Sequence, residues 1–242
     1  MRTIALIQAR LSSSRLPGKV LMDIEGVPML AHVVERVSAA RLLDGVAVAT
    51  STDSTDDRLA AYCRANGIRH HRGPLDDVLA RFVQAGKREE ADVIVRVTAD
   101  CPLIDPALID AVVTMRDAHR ADYASNVLSR RYPRGLDVEV FTAEALARAD
   151  REGKAPHHRE HVTPYLYEEP GRFQVVGLDC ERDLSAHRWT VDTAADLDVV
   201  RAIQQRLDNP LAGWREVLAV VEREPNLARR NAHIKQKPTR AA

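Results

Sequence analysis

Apolar residues in this 242-residue chain collect in short unbroken runs, with longer mixed stretches between them. Residues 3–7 (TIALI) form the first run, residues 46–50 (VAVAT) the second, and the centre of ADVIVRVTAD, residues 91–100, the third. Runs of this length without polar alternation predict strands buried on both faces, as in a parallel sheet. The stretches between them predict helices over 28–40, after STDSTDD, and over 76–86. In the second of these, Asp56 and Asp57 suit the positive end of a helix dipole, and Gly67 suits a C-cap. The alternation predicts an α/β fold with a mostly parallel central sheet flanked by helices.

The rhythm changes at residue 123. Turn signals interrupt a mixed strand pattern in SNVLSRRYPRGLDVEVF, which predicts a small hairpin excursion from the main sheet. A helix over 142–151 follows, then the turn-rich PHHREHVTPYLYEEPG. Residues 188–191 are expected to return to the sheet ahead of a helix over 194–207. A last helix is expected around Trp214–Arg223.

Composition narrows the class. Thirty-five basic and thirty-five acidic residues cancel, which gives no global argument for nucleic-acid binding. Cys63, Cys101 and Cys180 are too few and too scattered for a disulfide framework or a Cys-rich zinc site. The sequence shows neither a signal-peptide pattern nor an 18-residue charge-free apolar run, so a cytoplasmic location without membrane contact is expected. Charge is nonetheless uneven: the first twenty residues hold Arg2, Arg10, Arg15 and Lys19 and no acid.

That imbalance centres on QARLSSSRLPGK, Gln8 to Lys19, directly after the first strand. Loops at this edge of an α/β sheet commonly bind ligands. Arg10, Arg15 and Lys19 suit the charge of a triphosphate, and Ser12, Ser13 and Ser14 add donors. Gly18 permits close approach of the backbone. Neither GxGxxG nor GxxxxGK[ST] is present, so a dinucleotide fingerprint and a Walker loop are both excluded. The competing reading is a basic surface loop without a ligand. Two acids follow later strands: Asp100 in TADCPLIDP and Asp192 in RWTVDTAADLDVV. Carboxylates there suit Mg²⁺ against phosphate oxygens, while the bland reading of Asp100 is a loop cap. Thr193 and Asp196 account for the capping box of the next helix, which leaves Asp192 for another task.

Taken together, QARLSSSRLPGKVL, VATSTDSTDD, HHRGPLDDVLARF, RVTADCPLIDP, YPRGLDVEVF, REHVTPYLYE and WTVDTAADL resemble the cytidylyltransferases that activate acidic sugars. These include the acylneuraminate and 3-deoxy-manno-octulosonate enzymes, and the spore coat polysaccharide branch is nearer. The resemblance implies a glycosyltransferase-A-like nucleotidyltransferase fold, CTP as substrate, Mg²⁺ and a homodimer. It maps the phosphate loop onto Arg10, Ser12, Arg15 and Lys19, with Gln8, Ala9 and Ser13 beside it, and the metal-binding acids onto Asp100 and Asp192. The segment from His71 through Asp77 falls beside base and ribose, which assigns Arg72 and Asp77 to the nucleotide. The implied organisation is a nucleotidyltransferase domain over 1–207, with 123–165 an acceptor or dimerisation excursion, and a helical extension with a basic tail over 208–242. TADCP stands where acidic-sugar relatives carry a QGDEP-like sequence, so the resemblance does not identify the acceptor.

For acceptor binding, Arg134, Asp137 and Glu139 are the candidates, beside Arg130 and Arg131. Asp137 and Glu139 share a strand face by the two-residue period; the alternative is a set of ion pairs at a dimer face. In PHHREH, His157 and His161 have the spacing of a helical zinc pair but no third ligand. Arg159 and His161 read either as acceptor contacts or as polar surface, and His161 is a candidate proton acceptor. The expected reaction is attack of an acceptor oxygen on the α-phosphorus of CTP with pyrophosphate leaving, served by Arg10, Arg15, Lys19, Asp100 and His161. A nucleotide-sugar-dependent glycosyltransferase and a non-catalytic nucleotide-binding regulator are the competing classes.

Overall fold

A computed structural model describes residues 1–236; the last six residues of the expected basic tail lie outside the described residues. Among the described residues nine strands form in chain order: β1 (Thr3–Gln8), β2 (Asp23–Ile24), β3 (Val27–Pro28), β4 (Gly45–Ser51), β5 (His70–Gly73), β6 (Val93–Thr98), β7 (Tyr123–Ser125), β8 (Glu139–Thr142) and β9 (Val175–Gly177). The helices are α1 (Met29–Ser38), α2 (Asp57–Ala65), α3 (Val78–Arg88), α4 (Pro106–His119), α5 (Ala143–Glu152), α6 (Pro156–His161), α7 (Pro164–Tyr167), α8 (Ala194–Gln204), α9 (Trp214–Arg223) and α10 (Asn226–Arg229). Seven strands make the main sheet in the order β5-β4-β1-β6-β8-β7-β9, and β2 with β3 forms a separate small hairpin.

Strand β1 shows why the sheet is central. Ile4 and Leu6 point into one apolar layer, and Ala5 and Ile7 into the other. All four are fully buried, and each large aliphatic side chain contributes about 1.5–3 kcal/mol by leaving water. One layer packs α1, α4, α8 and α9 through Val33, Val112, Val200 and Val217. The other packs α3 and α5 through Leu79, Phe82 and Leu146. The expected mostly parallel sheet covered by helices is what forms.

β1 pairs in parallel with β4 on one side and β6 on the other. The connections therefore diverge at β1, and the carboxyl ends of β1, β4 and β6 open onto one edge, the position where α/β sheets bind ligands.

The structure departs from the sequence reading in three places. Residues 70–73 form a parallel strand beside β4, although HHRG carries no apolar run. Residues 123–142 supply β7 and β8 to the main sheet, where β8 runs antiparallel to both of its neighbours, β6 and β7, so within this stretch only the connecting loop 126–138 leaves the sheet. Residues 188–191 do not form a sheet strand; they make a single bridge between Arg134 and Arg188. Among the described residues, no helix is long and apolar enough to cross a membrane.

Candidate active site

The loop after β1 is anchored before any ligand arrives. The backbone N–H of Leu11 donates to the Asp56 carboxylate at 2.7 Å, and the N–H groups of Ser13 and Gly18 both donate to the Leu11 carbonyl. Asp56 is fully buried and also accepts from the backbone and hydroxyl of Ser51 at the end of β4. Gly18 holds φ at 73°, where an L side chain is strained, with open space around the place a Cβ would take. The chain then turns so that Lys19 points back under the loop, its side chain only 9% exposed.

Lys19 is the hub. Its ammonium donates to Asp100 at 2.8 Å, to Asp192 at 2.9 Å and to the Val191 carbonyl at 2.7 Å. Burial works against its charge, but Asp100 and Asp192 outweigh burial and hold its pKa above the ordinary lysine value. Asp192 also pairs with Arg15 at 2.8 Å and Arg188 at 2.7 Å. Burial opposes its ionisation too, yet Lys19, Arg188 and Arg15 keep its carboxyl below the usual range. Asp196 accepts from Thr193 in the expected capping box and from Arg188 and Asn231.

Two cavities meet at this cluster. One, of about 270 Å³, is lined by Gln8, Arg10, Ser13, Ser14 and Glu160. The other, of about 150 Å³, is lined by Cys101, Arg134, Gly135, Asp137, Thr190 and Gln236. Arg15, Thr98, Asp100 and Asp192 belong to both walls. Asp137 is held by a two-point pairing with Arg130, at 2.8 and 2.7 Å. The Arg134 guanidinium has no ion pair or side-chain hydrogen bond among the described residues, and its backbone is pinned by exchange with His187 and Trp189. Arg10, exposed beside the larger cavity, likewise has no ion pair among the described residues. Cys101 is buried; desolvation and then Asp100 raise its thiol well above the usual value, which leaves it a neutral filler.

The structure thus gathers Gln8, Arg10, Ser13, Arg15, Lys19, Asp100, Asp192, Arg134 and Asp137, and it sets other candidates elsewhere. Ala9 is core, and Ser12 faces solvent. Arg72 donates to the Ser51 and Asp53 carbonyls and pairs with Asp57, which braces the β4 end. Asp77 caps α3 and pairs with Arg159 at 2.6 Å; Arg159 also clamps Asp150. Glu139 is buried against Arg96, Tyr123 and Thr163, because the strand register starts at residue 139 and the two-residue alternation does not reach back to Asp137. Arg96 in turn donates to Oε1 of Gln8, leaving the Gln8 amide nitrogen as donor. His161 ends α6, but the α6 residue that lines the larger cavity is its neighbour Glu160. Sequence reading missed Glu160 and the anchoring role of Asp56; VATSTDSTDD was the only signal for the latter.

A family model described as cytidylyltransferase matches residues 4–211. The chain is 33% identical to spore coat polysaccharide biosynthesis protein SpsF of Bacillus subtilis, over 92% of this chain and 95% of the relative. It is 34% identical to 3-deoxy-manno-octulosonate cytidylyltransferase of Acidovorax sp., over 83% of this chain and 82% of the relative. Among solved structures, a cytidylyltransferase from Leptospira borgpetersenii superposes with a TM-score of 0.91 at 31% identity, covering 98% of this chain and all of that one. The chain belongs to the cytidylyltransferase family, whose members are CTP-dependent nucleotidyltransferases.

Proposed function

We propose that this enzyme transfers CMP from CTP to an acidic sugar or another small anionic acceptor and releases pyrophosphate. The observation that carries the reading is the pair of cavities sharing one wall of Asp100, Asp192 and Arg15. The cavity beside the β1 loop takes the nucleotide: Arg10, with the serine donors, meets the phosphates, and the Gln8 amide and Glu160 line the same space. The smaller cavity takes the acceptor, whose anionic group pairs with Arg134 and whose hydroxyl donates to Asp137.

Asp100 and Asp192 fit a magnesium ion by their chemistry, since they are hard oxygen donors converging on a single cation, the Lys19 ammonium. Bound there, Mg²⁺ supplies charge stabilisation for the triphosphate. The chain's own contribution is positioning and fixed charge. An acceptor oxygen held by Arg134 and Asp137 faces the α-phosphorus; its new bond forms as the bond to the bridging oxygen of pyrophosphate breaks. Arg10 and Arg15 lie where negative charge accumulates, in a preorganised arrangement. A homodimer completes the proposal.

The deciding experiment incubates the purified protein with CTP, Mg²⁺ and a panel of keto sugar acids, phosphomonoesters and phosphonates, and measures pyrophosphate. Release with one acceptor class, lost by about 10²–10³ in Arg10→Ala, supports the reading. Equal turnover with UTP or ATP rejects the base assignment, and glycoside formation without pyrophosphate rejects the reaction.

A further inference from the structure

The segment that brings Glu160 to the nucleotide cavity is tied down by a cluster outside the site. His157 and His158 lie in the first turn of α6, and Glu168 follows α7. The Nε2 atoms of both imidazoles lie 3.0 Å from the same oxygen, Oε2 of Glu168. The three donor atoms all fall within 4.8 Å of one another. Their side chains are 22%, 15% and 20% exposed, so the cluster is formed yet reachable from solvent. Stacking neighbours fix the rings: the two imidazole centroids are 4.2 Å apart, and Tyr165 meets His158 edge-on at 5.3 Å.

We propose that His157, His158 and Glu168 bind a transition-metal dication, Zn²⁺ in the first instance, at a site distinct from the Asp100–Asp192 pair. Two imidazole nitrogens and a carboxylate oxygen are ligands that zinc takes at roughly 2.0–2.2 Å. Tetrahedral ligands at that distance sit about 3.3 Å from each other, close to the 3.0 Å that separates each imidazole nitrogen from Oε2 of Glu168. Imidazole donors favour such ions over Mg²⁺ and Ca²⁺, which prefer all-oxygen sets. Water fills the fourth position. The spacing of His157 and His161 pointed to a different pair; the fold instead joins adjacent histidines to a glutamate ten residues downstream of His158.

The cluster spans a strained turn. Val162, fully buried and β-branched, has φ 73° and ψ −56°, and Thr163 N–H donates to the His161 carbonyl at 2.9 Å. That is a γ-turn of the strained hand. An ion joining α6 to Glu168 fastens the two sides of this turn and stiffens the wall that carries Glu160. Nδ1 of His158 is buried without a hydrogen-bond partner among the described residues, so that imidazole lacks the outer-sphere acceptor that strengthens most zinc imidazoles.

The test uses the full chain, stripped with chelator and saturated with Mg²⁺ so that the Asp100–Asp192 pair is occupied. Zn²⁺ is titrated by calorimetry, and Co²⁺ by its visible absorption. One equivalent of Zn²⁺, a tetrahedral Co²⁺ spectrum and a raised melting temperature are expected. Glu168→Gln, which keeps size and an acceptor oxygen, and His157→Ala each weaken Zn²⁺ by more than the roughly 10–100-fold that losing an outer-sphere partner costs. Asp100→Asn leaves Zn²⁺ uptake unchanged. No Zn²⁺ uptake, a Co²⁺ spectrum without imidazole coordination, or uptake equal in wild type and both variants overturns the proposal. So does uptake abolished by Asp100→Asn.

Discussion

Lys19 and Asp192, 173 positions apart in the chain, meet through a 2.9 Å hydrogen-bonded ion pair in the wall of the larger cavity. The contact ties the first loop to the start of α8. Breaking a buried pair by removing one partner leaves an uncompensated charge and costs about 3–5 kcal/mol. Lys19→Met is therefore expected to lower the melting temperature in chelator, because Asp100 loses its ammonium partner and Asp192 keeps only Arg15 and Arg188. Mg²⁺ should restore part of that loss in the variant while changing the wild type less. Thermal melts with and without Mg²⁺ check this, and an equal Mg²⁺ response in both proteins counts against a metal held by these acids.

Arg134 lines the smaller cavity with no side-chain partner among the described residues. Hydrogen bonds to charged groups are worth about 1.5–3 kcal/mol. Arg134→Ala should raise the acceptor KM by about 10–100-fold while leaving the KM for CTP near wild type. Arg134→Lys should recover only part of the loss, since one ammonium cannot reproduce the planar fork. Steady-state kinetics with each substrate varied separately distinguishes these outcomes.

Gly135 holds that arginine in place. It has φ 104°, and a Cβ there would lie 2.5 Å from the Thr190 nitrogen and 2.6 Å from the Trp189 carbonyl carbon. Neither backbone atom can turn aside as a side chain would. Gly135→Ala is expected to destabilise the fold by at least about 1–3 kcal/mol, with a lower urea midpoint and a larger fractional loss of acceptor binding than of CTP binding.

Asp192 and Asp196 define the acid limit. Burial opposes ionisation of both; Lys19 and Arg188 outweigh it at Asp192, and Arg188 does so at Asp196. Their folded pKa values lie below the unfolded ones, so the stability they contribute is complete above the ordinary aspartate range and disappears as pH falls through the folded values. Unfolding midpoints measured from neutral to acidic pH should drop over that window. Arg188→Met should shift the drop to higher pH.

Much of this architecture was legible because burial on both faces leaves a run of apolar letters: β1, β4 and β6 announce themselves in TIALI, VAVAT and VIVRV. β5 does not. Its residues HHRG occupy a sheet edge, with three of the four only partly buried, so nothing forces them to be apolar. The acids at 100 and 192 stood out because each ends a strand-like run, and at 192 the capping duty falls to Thr193 and Asp196. Glu139 misled because alternation was extended through a residue that precedes the strand. Asp56 was read as answering a helix dipole, whereas it reaches across to Leu11; a contact over 45 positions leaves no periodic trace. Glu160 was missed for a similar reason, since its neighbours Arg159 and His161 offered more familiar chemistry.

The ammonium lodged between the two carboxylates gives the ligand-free enzyme an internal counter-ion. Opposed negative charges are therefore balanced from within the chain itself. On the proposed reading, a metal-bound nucleotide entering here would meet acids whose charge is already balanced, with the Lys19 ammonium beside them.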